Sequence, residues 1–99
     1  MKRAEILDKA KEMVTGQREQ DYGSPEDNFN IIAEYWMTYL AAVFKARDTI
    51  ELTADDVANM MCLFKLARIT TGTGTADSYI DLAGYAACGG ELTEGSHDD

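Results

Sequence analysis

Proline occurs once in these 99 residues, at position 25, directly behind Ser24 and ahead of a long apolar run. A proline inside a helix breaks it, but at the first helical position its fixed φ and missing N–H cost nothing. Ser24 is a good N-cap, and Asp27 three residues on completes a capping-box pattern. The stretch "SPEDNFNIIAEYWMTYLAAVFKAR" is therefore expected as one uninterrupted helix to about Arg47. No other proline breaks the chain, and no alternating Val/Ile/Thr run suggests a strand. The expectation is an all-α protein.

Three further helices follow from the same signals. From Lys2 to about Arg18, Ile6, Ala10, Met13 and Val14 recur at helical spacing while charged residues fill the other faces. "LTADD" repeats a capping pattern, with Thr53 as cap and Asp56 three residues on, and opens a helix to about Thr70. "TGTGT" breaks the chain; it lacks the lysine and the preceding strand of a phosphate loop. The last helix is expected from Ala76 to Cys88, stopped by Gly89 and Gly90 as C′ glycines. Residues 1–90 then form one helical domain, and the acidic remainder, 91–99, a flexible tail.

Four helices with short connections predict an antiparallel bundle. Its core is expected to draw on Ile6, Met13, Phe29, Ile32, Trp36, Leu40, Val57, Met61, Phe64, Leu82 and Ala86. A chain this short buries only about 60–65% of its unfolded surface. With the long apolar row Trp36, Tyr39, Leu40, Val43 and Phe44, that size predicts a homo-oligomer. No apolar run reaches the roughly 20 residues a bilayer requires, and the first ten residues lack a signal peptide's apolar segment, so a soluble, cytoplasmic protein is expected.

Charge narrows the partners. With 18 acidic against nine basic residues the net charge is −9, which disfavours extended nucleic acid while allowing a small phosphorylated ligand. Cys62 and Cys88 lack metal-site spacing and are expected as buried small hydrophobes. With His97 as the only histidine, zinc is excluded, and oxygen-ligand chemistry suited to magnesium or manganese remains.

Bundles hold ligands through polar groups that interrupt apolar stripes. Helix two offers Asn30 and Glu34, four apart and so on one face. Helix three offers Asp56 and Asn59, then Lys65 and Arg68 further down, and the last helix a row of Asp77, Asp81 and Tyr85. Glu34, Asp77 and Asp81 are candidate ligands for magnesium bridging a polyphosphate, with Lys65 and Arg68 set against phosphate oxygens. Each has a plain structural alternative. Asp77 sits where an acid favours the helix dipole, Lys65 and Arg68 suit the negative pole of helix three, and Asp81 is a salt-bridge partner for either. Glu34 is alternatively an exposed position on a long helix. Tyr22, beside Gly23 in the loop before helix two, covers a pocket or simply packs on the bundle. Aromatic residues of "EYW" and "DYG" are candidate stacking partners for a base.

The segments "DYGSPEDNF", "LTADDVANMMCLFKLARI" and "DSYIDLAGYAACGGEL" together resemble a small domain family of bacteria and their phages, over about Glu5 to Leu92. That family resembles the MazG-type all-α nucleoside triphosphate pyrophosphatases and a nucleotide-modification-associated domain. The resemblance implies an oligomeric, magnesium-dependent hydrolase in which Glu34, Asp77 and Asp81 hold metal and Glu34 or Asp81 orients water. Lys65 and Arg68 would contact phosphate, and Asn30, Tyr22 and Tyr85 sugar or base. The usual signature is ExxE on one helix and ExxD on the next. Here Met37 follows Glu34 by three, and Ser78 stands where ExxD has glutamate. Two alternatives stay open: a nucleotide-binding module without turnover, and a helical interaction protein.

Overall fold

The computed structural model describes residues 1–15, 25–72 and 75–97, the side chains of residues 25, 26 and 95–97 excepted. These residues form four α-helices and no strand: α1 (Arg3–Thr15), α2 (Pro25–Arg47), α3 (Ala54–Thr71) and α4 (Ala76–His97). The all-helical expectation holds, as do the starts of all four helices to within one residue. Ser24, the expected cap of α2, lies outside the described residues, as does the segment in which α1 was expected to end.

Helix ends follow the local chemistry. α2 stops where Asp48 turns into the left-handed region at φ 59° and its N–H donates to the Phe44 carbonyl at 2.7 Å. Aspartate is one of the few residues that tolerate that conformation. α3 opens as its sequence predicts: the Asp56 carboxylate reaches back to accept from the Thr53 N–H at 2.9 Å. It closes on Gly72, whose N–H donates to the Arg68 carbonyl at 3.2 Å.

α3 is the shared element, with α2 packed on one side and α4 on the other. The Trp36 indole N–H crosses from α2 to the Met60 carbonyl of α3 at 2.8 Å. On the other side the Cys62 thiol lies 3.7 Å from the Leu82 carbonyl of α4. The buried apolar residues are Ile32, Val43, Ala58 and Ala67, with Trp36, Leu40, Met61, Phe64 and Leu82 half-buried beside them.

Five structural expectations need correction. α4 does not stop at Cys88; it runs through Gly89 and Gly90 to His97, so most of the expected tail is helical. A Cβ placed on Gly89 would come within 3.3 Å of the Ala58 Cβ, so this glycine serves close approach of α4 to α3 rather than a cap. α1 packs on none of the other helices and all its residues are exposed, so Ile6 and Met13 add nothing to the core. Phe29, Val57 and Ala86, also expected inside, are exposed. The apolar row of α2 divides, because Val43 is buried while Phe44 faces outward. Cys62 is half-buried, but Cys88 is exposed.

Candidate functional site

One stripe of α2 carries Asn28, Ile32, Trp36, Tyr39 and Val43, spaced by three and four so that all turn to α3. Towards its first half that stripe leaves an open groove of about 310 Å³, lined by Phe29, Ile32, Ala33, Trp36 and Phe64. Three aromatic rings in one small groove suit a flat ligand, because stacking rewards planar contact. Phe29 is 63% exposed, which leaves its ring face open to solvent.

Two cations of α3 lie over the ring of Phe64, one of the groove's lining residues. The Lys65 ammonium lies 5.7 Å and the Arg68 guanidinium 4.7 Å from the centre of the Phe64 ring. Both distances fall within cation–π range. Lys65 also pairs with Asp81 of α4, Nζ to Oδ2, at 2.8 Å. Its side chain is 15% exposed and that of Asp81 49%, so the pair ties the two helices while one carboxylate face stays wet. The salt-bridge alternative for Asp81 is the one the geometry realises.

The other expected site residues are spread out. Glu34 and Asn30 are exposed on α2, and the Glu34 carbonyl accepts from the Thr38 hydroxyl at 3.1 Å. Asp77 is exposed in the first turn of α4, and Tyr85 is half-buried further along that helix. Tyr22 lies outside the described residues. Among the described residues no three His, Cys, Asp or Glu side chains gather where they could hold a metal ion. Glu34 rides on α2 and the two aspartates on α4, and these helices meet α3 rather than each other. Among the described residues the three acids are therefore not brought together in one cluster.

The most deeply buried charge is Asp56, which the sequence offered as a polar residue of α3 without showing its partners. Asp56 is fully buried and accepts from Tyr39 Oη at 2.6 Å and from both Arg47 terminal nitrogens at 2.7 and 2.9 Å. The Thr53 N–H and hydroxyl each donate to it at 2.9 Å. Arg47 first, and Tyr39 second, hold the Asp56 carboxyl well below the usual carboxylate range, against the opposing effect of burial. Burial pushes the Tyr39 phenol up, and Asn59 donates to that oxygen at 3.0 Å. With five donors the carboxylate is saturated and has no capacity left for a ligand. It locks the end of α2 to the start of α3. The capping box pointed to Asp56, but nothing local to it pointed to Arg47 or Tyr39.

A second omission is Asn28. It is 5% exposed, and its side-chain carbonyl oxygen is buried with no hydrogen-bond partner. Asp27 and Asn30 beside it are equally polar, so the sequence carried no signal that set it apart.

The fold and groove thus define an all-helical domain with an aromatic cleft, one of whose rings lies under two cations. Residues 5–93 match the family model DUF6378, a domain of unknown function, and the chain belongs to that family. Its relatives include the Gene 55 protein of Mycobacterium phage D29, 42% identical over 84 residues, which are 84% of this chain and 50% of the phage protein. The Gene 55 protein of Mycobacterium phage L5 is likewise 42% identical, over 81 residues, 82% of this chain and 47% of that protein. The chain spans about half the length of these two relatives. No solved structure matches it significantly. No helix among the described residues is long and apolar enough to cross a membrane.

Proposed function

We propose that the chain binds a nucleotide, with the base stacked in the aromatic groove and the phosphates drawn to Lys65 and Arg68. The observation that carries this is the lining of the groove by Phe29, Trp36 and Phe64 with both cations over the Phe64 ring. A flat apolar face next to two positive charges complements a base joined to a phosphate chain. The net charge of −9 argues against extended nucleic acid as the occupant. The bundle is read as MazG-like and antiparallel, self-associating through its exposed apolar residues.

Between a binder and a magnesium-dependent triphosphate pyrophosphohydrolase, the geometry favours the binder. Asp81 is already neutralised by Lys65, and Glu34 sits on a helix that does not meet α4. The test is calorimetry with a nucleoside triphosphate and its nucleoside, with and without magnesium or manganese, alongside an assay for pyrophosphate release. Arg68→Ala is expected to weaken the triphosphate about 10- to 100-fold, the worth of one charged hydrogen bond, and to leave the nucleoside nearly unchanged. Equal losses for both ligands would remove Arg68 from the phosphate site. Metal-dependent pyrophosphate release would restore the hydrolase.

A further inference from the structure

α1 is the element that the fold leaves without a partner: it packs on no other helix and all its residues are exposed. A helix of 13 residues is marginal on its own in water, and most helices are held by the packing of an apolar face. α1 has such a face. Ile6, Leu7, Ala10, Met13 and Val14 recur at spacings of three, four and seven and share one side. At about 100° per residue, Lys9 and Lys11 fall on the two borders of that side, and Glu5, Asp8 and Glu12 on the opposite one. A matching face lies uncovered on α2. Phe29, Ala33, Met37, Leu40 and Phe44 follow one another by four, four, three and four, beside the stripe that turns to α3. Phe29, Met37 and Phe44 are each more than half exposed, so α3 does not cover them. The two faces agree in length: 13 residues at a rise of about 1.5 Å span about 20 Å, and Phe29 to Phe44 about 22 Å. They also differ in charge. Residues 1–15 hold four of the nine basic residues and three of the 18 acidic, a net +1, which leaves −10 on the rest of the chain. Exposed Asp27 and Glu34 lie along the α2 face on the side away from α3, with Lys45 at its far end.

We infer that α1 of one copy docks on the Phe29-to-Phe44 face of α2 in a second copy, and that the exchange is reciprocal. This rests on the self-association proposed above and is independent of the nucleotide. An apolar helix face bordered by lysines is drawn to a surface of opposite sign, while the acids of α1 stay turned to solvent. Two equivalent contacts form at once about a two-fold axis, so the short apolar face of α1 counts twice in holding the pair. Phe29 and Ala33 belong both to the docking face and to the groove lining. The docked helix therefore borders the groove, whose other lining residues Ile32, Trp36 and Phe64 lie on the α3 side.

The experiment is sedimentation of the full chain at micromolar concentration, with three double variants beside the wild type. The first is Ile6→Gln with Met13→Gln. Neither residue touches another helix of its own chain, and glutamine is a good helix former, so the packing of α2, α3 and α4 is left as it was. Association is expected to weaken at least about 100-fold, roughly tenfold for each apolar side chain, which brings the mass down to the monomer's 10.9 kDa. Lys9→Glu with Lys11→Glu is expected to weaken it in the same direction, by a margin that shrinks in added salt. Glu5→Gln with Glu12→Gln, on the back of the same helix, is expected to leave the mass unchanged. An associated mass retained by the Ile6 and Met13 variant would overturn α1 as the contact and leave self-association standing. Equal loss in the Glu5 and Glu12 variant would overturn the docking face as well, because the effect would then belong to helix formation. A monomeric wild type would instead sink self-association and this inference with it.

Discussion

Two aspartates stand in opposite surroundings, Asp56 fully buried and Asp81 half in water. Asp56 is fully buried under five donors, and removing one partner of such a network costs about 3–5 kcal/mol. Arg47 keeps 40% of its side chain in water, so the cost should fall at the lower end. Asp56→Ala is thus expected to destabilise by about 3 kcal/mol in urea unfolding. Its folded pKa is depressed, so its stabilisation is fully present above the unfolded value near pH 4 and is lost as pH falls below that. Wild-type stability should hold from pH 7 to 5 and fall progressively below about pH 4, and Asp56→Asn should lose that steeper fall. Asp81 behaves oppositely. It pairs with Lys65 at 2.8 Å, so under the proposed nucleotide binding it would compete with phosphate, and Asp81→Asn is expected to tighten triphosphate binding measured without metal. Loss of binding in that variant would return Asp81 to the role of a metal ligand.

Helices were legible where capping chemistry is local. Thr53 and Asp56 announced α3, and the observed Ala54–Thr71 closely matches the expected element. Gly89 and Gly90 misled, because a pair of glycines that ends a helix and one that admits a neighbour look alike in a sequence. The structure separates them: a methyl group on Gly89 would meet Ala58 at 3.3 Å, whereas one on Gly90 meets nothing within 4 Å. Gly90→Ala is expected to stabilise the fold by about 0.5–1 kcal/mol through helix propensity, and Gly89→Ala to gain less or to lose, as thermal unfolding can decide. Of the site, Lys65, Arg68 and Trp36 could be read from their positions on α2 and α3. The burial of Asn28 could not, because its neighbours Asp27 and Asn30 are equally polar and only packing shows which of the three is shut away. The Asp56 lock was invisible for a different reason: its partners Arg47 and Tyr39 lie nine and 17 residues upstream, on another helix.

At the scale of the whole molecule the chain is extended, with a radius of gyration of 16.3 Å against about 13 Å for a compact domain of 100 residues. Leu7, Met13, Met37, Phe44 and Ile80 are among many large apolar side chains left exposed. Their burial against further copies of the chain is the expected remedy for so small a core. Light scattering at micromolar concentration should accordingly give a mass well above the monomer's 10.9 kDa, and a monomeric mass would refute self-association. The proposed nucleotide binding has a built-in reporter. Trp36 is the only tryptophan in the chain and lines the groove, so a stacked base must perturb its emission. The decisive measurement is a titration of intrinsic fluorescence with a nucleoside triphosphate. The account predicts saturable quenching of Trp36, weakened by added salt in the wild type more than in Arg68→Ala. Emission that stays unchanged up to millimolar nucleotide, for every base and with or without magnesium, would contradict it.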